Sequence, residues 1–288
     1  MYGAIEAGGT KFVCAVGNEA FEVLDRIAFP TTTPEETLTQ VFEFFDRYEL
    51  KAIGIGSFGP IDINRDSPTY GYIKNTPKLA WANFDLLGAV KQRYGVPVGW
   101  NTDVNIAALS EAAKGAGEGM RNVLYLTVGT GIGGGAVIGG RMLEGFGHPE
   151  MGHIKVRKHP DDPFAGTCPY HGDCLEGLAA GPSIDARVKK KGYELGQDHE
   201  VWDYLAHYLA QALYNYSMVL RPEVIVLGGG VMKSPVLLSK VKGILLELIA
   251  GYIDIPSIDR YLVPPKLGDD VGVIGGFLLA KMELDGER

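Results

Sequence analysis

Apolar and polar positions along the chain alternate in two rhythms. "YGAIEAGGTKFVCAVG" (2–17) and "VLYLTVGTGIGGGAVIGG" (123–140) each run apolar, break at a Gly/Thr turn, and run apolar again to a closing glycine. A strand, a turn free of bulky side chains and a second strand make a β-hairpin. Two such hairpins about 120 residues apart predict a fold of two similar halves. Helical spacing takes over in "PTTTPEETLTQVFEFFDRYEL" (30–50), where Thr33 is placed as the N-cap, Pro34 at the first helical position and Glu36 three residues after the cap. "KAIGIGSFG" (51–59) reads as a short buried strand. "PVGWNTDVNIAALSEAAKGAG" (97–117) reads as a strand end, a polar corner and a helix. In the second half "VWDYLAHYLAQALYNYSMVL" (201–220) is helical, "PEVIVLGGGV" (222–231) is a strand entering glycines, and "VGVIGGFLLAKMEL" (271–284) is a closing helix. This alternation predicts an α/β protein with largely buried sheets. "RDSPTYGYIKNTPKLAWANF" (65–84) has no clear period and reads as a ligand loop.

Composition narrows the classes. The 288 residues carry a formal net charge of −8 and are 46% hydrophobic, with 40 glycines and 3 cysteines. The length allows a sizeable core, and the glycines belong to turns rather than disorder. An acidic chain without a dominant basic face does not predict a nucleic-acid partner. "RVKKK" (187–191) is read as the solvated end of a helix. No charged-then-apolar leader and no membrane-length apolar run are read, and the few cysteines fit a reducing cytoplasm.

"GTGIGGG" (129–135) contains G-x-G-x-x-G, but a second strand follows it, not a helix, so the dinucleotide fingerprint is rejected. Glycine turns still present backbone N–H groups to anions. Three of them at strand ends suit a nucleoside triphosphate. Gly8, Gly9, Thr10 and Lys11 form one, Gly129, Thr130, Gly131 and Gly133 the second, and Gly228, Gly229 and Gly230 the third. "TCPYHGDCLEG" (167–177) sets Cys168, His171 and Cys174 at intervals of three, and "HPEMGH" offers His153. A tetrahedral zinc site needs four such ligands. A Cys168–Cys174 disulfide and unrelated surface residues are the competing readings. His159 and His148 are weaker candidates for the fourth ligand, and Cys14 reads as core.

Taken in order, "GAIEAGGTK", "NTDVNIAALSE", "TVGTGIGGG", "PEMGH", "CPYHGDCLEG" and "VIVLGGGV" resemble the motifs of the ROK family of sugar kinases and repressors. The resemblance spans essentially the whole chain. "GSFGPIDINRDSPTYGYIKNTPKLAWANFDL" (56–86) is similar to the bacterial zinc-containing fructokinase branch. It implies a hexokinase/actin-type fold, with two RNase H-like α/β lobes flanking a catalytic cleft. The lobes are expected at 1–115 and 116–271, with a helix at 272–288 packing back on the first. The implied activity is ATP-dependent phosphorylation of a hexose primary hydroxyl, fructose to fructose 6-phosphate first. A glucokinase or mannokinase, and a sugar-responsive repressor, are the alternatives. The repressor class carries its DNA-binding domain before the first glycine turn; with that turn opening at Glu6, the repressor is the less expected of these readings.

Asp103 matches the family's catalytic aspartate; read from the residues alone, it is a helix cap. Glu6 stands where the family has Asp and is a Mg²⁺ candidate. Thr102 stands where the family has an asparagine that contacts sugar, and Asn101 lies beside it. The resemblance further assigns Glu150, His153 and Glu176 to sugar hydroxyls and Pro182 to the region near the base. Gly59, Pro60, Asn75, Trp81 and Asn83 are expected around the sugar. The knuckle His171 takes the place of a family cysteine. With four protein ligands the zinc is expected to be structural. The family is typically homodimeric.

Overall fold

The computed structural model describes residues 1–287, in two units. The first unit holds residues 1–114, 141–149 and 267–287; the second holds 115–140 and 150–266. The stretches 141–149 and 267–271, expected in the second lobe, therefore group with the first. The chain crosses back before its closing helix begins.

In the first unit, strands β1 (Tyr2–Ala7), β2 (Lys11–Gly17), β3 (Val23–Pro30), β4 (Ala52–Ser57) and β7 (Val98–Thr102) form one sheet in the order β3-β2-β1-β4-β7. The first glycine hairpin is β1 against β2, antiparallel, while β4 runs parallel to β1 and β7 parallel to β4. Helices α1 (Pro34–Phe45), α2 (Leu86–Tyr94) and α3 (Asp103–Lys114) alternate with the strands. Helix α1 starts as its residues dictate: Thr33 Oγ1 accepts the Glu36 N–H, and Pro34 opens the first turn. The aperiodic stretch after β4 carries a two-stranded sheet of β5 (Tyr72–Ile73) and β6 (Phe84–Asp85), joined by a short turn of 3₁₀ helix at Leu79–Trp81. Strand β10 (Arg141–Met142) opens the stretch by which the chain returns to this unit.

The second unit repeats the plan. Strands β8 (Val123–Val128) and β9 (Ile132–Ile138) form the second glycine hairpin, and β11 (Val224–Gly228) and β12 (Leu262–Val263) continue the sheet in parallel. The order of these four strands, β9-β8-β11-β12, matches that of β2-β1-β4-β7. Helices α4 (Leu175–Ala179), α5 (Gly181–Val188), α6 (Val201–Leu220), α7 (Leu237–Ile249) and α8 (Ile258–Tyr261) complete it. The closing helix α9 (Val271–Asp285) packs on β1, β4 and α3 of the first unit. This close approach explains its glycines: a Cβ on Gly276 would lie 2.6 Å from Ala4 Cβ. Among the described residues no helix is long and apolar enough to cross a membrane.

Two expectations fail inside these units. Arg187 is not part of a solvated cationic end. Its guanidinium pairs with Asp162 at 2.8 Å, and both side chains are buried. Trp81 is not a pocket wall. It is 1% exposed, stacks on Phe12 at 5.3 Å between ring centres, and donates its indole N–H to Thr32 O. The stretch that looked like an open loop supplies a core side chain.

Candidate active site

The end of β7 and the start of α3 position Asp103. Thr102 Oγ1 accepts the Asn105 N–H at 3.1 Å, so the helix is capped by Thr102 and Asp103 is its first helical residue. The N-cap is therefore Thr102, and the half-buried Asp103 carboxylate accepts the first-turn Val104 N–H through Oδ1. Asn101 is committed to the same turn. Its Oδ1 accepts from Thr102 N and Asn105 Nδ2, both at 2.8 Å, and its Nδ2 donates to Glu144 Oε1. At 1% exposure it holds the Asp103 turn and does not replace the missing sugar contact.

The first glycine turn joins β1 to β2, closed by the Gly8 N–H on Lys11 O at 3.0 Å. Glu6 precedes it, and its carboxylate lies over Gly272 at the start of α9, where a Cβ would come within 2.4 Å. Burial pushes the Glu6 carboxyl up, opposed by Lys11 and Arg26. The longer side chain in place of the family aspartate is thus accommodated by a glycine. Of the residues expected around the sugar, Gly59 is half-buried, and Pro60, Asn75 and Asn83 are exposed.

In the second unit the metal-ligand residues converge. The ligand atoms of His153, Cys168, His171 and Cys174 all lie within 4.8 Å of one another. Sγ of Cys168 is 3.7 Å from His153 Nδ1 and 3.6 Å from His171 Nδ1, and Sγ of Cys174 is 3.5 Å from His153 Nδ1. A zinc tetrahedron with bonds of about 2.0–2.3 Å has edges of about 3.6 Å, so the donor set and its spacing fit the ion. All three cysteines are free, which removes the disulfide reading. Cys14 is buried core, and burial pushes its thiol up. Burial likewise pushes the Cys174 thiol up to about 11, so a divalent cation is what would hold it as thiolate. His159 and His148 are bound elsewhere: His159 Nδ1 accepts the Asp161 N–H, and His148 Nε2 accepts the Ile61 N–H.

The knuckle reaches the second glycine turn through Glu176. Its Oε2 accepts the Ile132 N–H at 2.9 Å, and its Oε1 lies 3.9 Å from His153 Nε2. His153 therefore turns Nδ1 to the thiols and Nε2 to the carboxylate. Glu150, just before the 3₁₀ turn Met151–His153, is exposed. From the sequence, Glu176 is expected at the sugar alone. Its hold on the glycine turn was invisible because the partner is a backbone N–H 44 residues away.

Gly129, Thr130, Pro182 and Gly230 line a cavity of about 700 Å³ within this unit, together with Asp185 and Trp202. The Gly181 N–H donates to Gly129 O at 2.8 Å and fastens the start of α5 to the glycine turn. Gly229 has φ 98°, and a Cβ there would meet Val128 O at 2.3 Å, so only glycine fits. Apolar walls with a few backbone donors are what a purine and its phosphates require.

Among known proteins, a fructokinase from Lactococcus lactis subsp. cremoris is 45% identical over 282 residues, covering 97% of this chain and 96% of that protein. A ROK hexokinase from Thermus thermophilus superposes with a TM-score of 0.82 at 29% identity, over 99% of each chain. A ROK glucokinase from Streptomyces griseus, solved with glucose and AMPPNP, superposes with a TM-score of 0.74 at 25% identity, over 96% of this chain and 98% of that one. The two lobes are those of the hexokinase-like fold. With the ROK family model matching residues 2–283 on top of these likenesses, the chain belongs to the ROK family.

Proposed function

We propose that the protein phosphorylates the primary hydroxyl of a hexose with ATP, and that the hexose is fructose. The observation that carries the reaction class is Asp103 at the first position of α3 with its cap supplied by Thr102. The carboxylate acts as general base on the sugar hydroxyl, while positioning and charge neutralisation do the rest. The fructose assignment is supported by the fructokinase from Lactococcus lactis subsp. cremoris, and ATP by the AMPPNP-bound Streptomyces griseus structure. In this reading the cavity at Gly129, Pro182 and Gly230 takes the nucleotide and the turn at Gly129–Gly133 its phosphates; the turn at Gly8–Lys11 is the phosphate turn of the first unit. Glu150 and Glu176 accept from sugar hydroxyls, and His153, with Nδ1 turned to the knuckle, donates to one through its Nε2–H.

His153, Cys168, His171 and Cys174 would hold zinc. Four protein ligands close the site, so the metal would supply cross-linking and not chemistry. The Glu6 carboxylate is a hard oxygen donor suited to Mg²⁺, which would supply charge neutralisation at the phosphates. A homodimer in the cytoplasm completes the reading. A coupled ADP-release assay over fructose, glucose and mannose tests it. The expected result is fastest turnover of fructose. A higher kcat/KM for glucose or mannose removes the fructokinase assignment, and no turnover of any hexose removes the kinase.

A further inference from the structure

The stretch between Glu144 and His148 belongs to no motif, yet it is fixed at both ends to residues that carry site loops. At one end Glu144 Oε1 accepts from Asn101 Nδ2 at 2.8 Å. Asn101 in turn holds the Thr102 N–H and Asn105 Nδ2, the frame on which Asp103 sits. At the other end His148 Nε2 accepts the Ile61 N–H at 3.0 Å. An acceptor at Nε2 puts the ring proton on Nδ1, which faces Pro149 O at 3.3 Å. Ile61 closes the loop that carries Gly59 and Pro60, which is otherwise tied by the Phe58 N–H to Ala7 O and the Lys74 N–H to Pro60 O. Between the two anchors, Gly145-Phe146-Gly147 makes a tight turn, with the Gly145 N–H on Gly147 O at 3.1 Å.

We infer that Glu144 and His148 are positioning residues for the transfer: Glu144 sets the Asp103 turn through Asn101, and His148 sets the Gly59–Ile61 loop. Neither is argued to touch substrate. The division of labour has a kinetic signature. A loosened Gly59–Ile61 loop weakens hexose binding. A loosened Asp103 turn slows the chemical step at unchanged binding. The inference rests on the hexose kinase reading, so the hexose that the wild type turns over fastest is the probe. Wild-type inactivity on every hexose is the failure of that reading, not of this one.

The experiment is steady-state kinetics on paired variants, each matched in thermal midpoint. His148→Leu keeps bulk and loses the acceptor; His148→Gln keeps an acceptor. The Leu variant is expected to raise hexose KM about three- to tenfold, the size of one lost hydrogen bond, with ATP KM within about twofold of wild type. The Gln variant is expected to recover most of that rise. Glu144→Ala is expected to lower kcat about tenfold, and Glu144→Gln, whose amide oxygen still accepts from Asn101, to restore it. Equal kinetics for the two variants at either position, wild-type kinetics for the Leu and Ala variants, or parallel rises in both KM values overturn the inference. Should His148→Leu not fold, the pair of His148→Gln and the shorter His148→Asn decides in its place: recovery by Gln alone supports the inference, and equal behaviour overturns it.

Discussion

Glu176 fastens the Cys/His knuckle to the second glycine turn, accepting the Ile132 N–H at 2.9 Å two residues after Cys174. The Cys/His cluster, the carboxylate and the glycine turn are therefore one continuous path of contacts within one unit. Removing zinc with a chelator is expected to lower thermal stability and to raise the KM for both hexose and ATP. Glu176→Gln, which keeps an acceptor for Ile132, is expected to raise hexose KM only. Glu176→Ala is expected to raise both, because the turn is released. Metal analysis of the purified protein sets the baseline: well under about half an equivalent of zinc per chain contradicts the tetrahedral site.

At the β7–α3 junction, Thr102 caps the helix and Asp103 follows it, so the cap and the proposed base are different residues. Asp103→Asn is expected to keep the melting temperature and to lower kcat by about 10²- to 10⁴-fold. Thr102→Ala is expected to cost about 1 kcal/mol of stability through the lost cap. Thermal melts and steady-state kinetics on the two variants check both halves. An Asp103→Asn enzyme within about tenfold of wild-type kcat contradicts the base assignment.

What could be read without a structure was whatever short spacing carries. The two glycine hairpins, the Thr33 cap and the Cys168, His171, Cys174 spacing are local, and local steric and ligand rules determine them. The residues misread or missed depend on distant partners. Trp81 sits in an aperiodic stretch, and only Phe12 and Phe58 around it reveal a core residue. Arg187 looked solvated because Asp162 lies 25 residues earlier in an irregular loop. His148 had no motif, and its partner Ile61 is 87 residues away. Asn101 was a reasonable sugar contact by position, but its amide was already committed to Glu144 and Asn105.

Because Trp81 is core, its substitution tests packing and not sugar recognition. The indole fills a cluster with Phe12, Phe58 and Phe84 and satisfies Thr32 O. Trp81→Ala is expected to cost about 3–5 kcal/mol. Trp81→Phe is expected to cost less and to leave hexose KM unchanged. Denaturant unfolding together with hexose kinetics reads both. A Trp81→Phe enzyme of normal stability whose hexose KM rises severalfold would return Trp81 to the sugar pocket.

The buried Asp162–Arg187 pair makes a prediction about acid. Asp162 is 5% exposed and accepts from Arg187 Nη2 at 2.8 Å, the Tyr208 hydroxyl at 2.7 Å and the Phe164 N–H at 3.1 Å. Burial alone would push its carboxyl up, but these donors, Arg187 foremost, outweigh it and hold the carboxyl below the usual carboxylate range. A folded pKa below the unfolded value means that the stabilisation is present above the unfolded pKa of about 3.9 and is lost as pH falls through the folded one. Asp162→Asn strands the Arg187 charge and is expected to cost about 3–5 kcal/mol at neutral pH. It is also expected to flatten the loss of stability below about pH 4, since the titrating group is gone. Adding Arg187→Met to Asp162→Asn removes the stranded charge and is expected to recover part of the loss. Unfolding free energies across pH for the wild type, Asp162→Asn and the double variant check all three. A double variant no more stable than Asp162→Asn means that the stranded charge is not what destabilises the single variant.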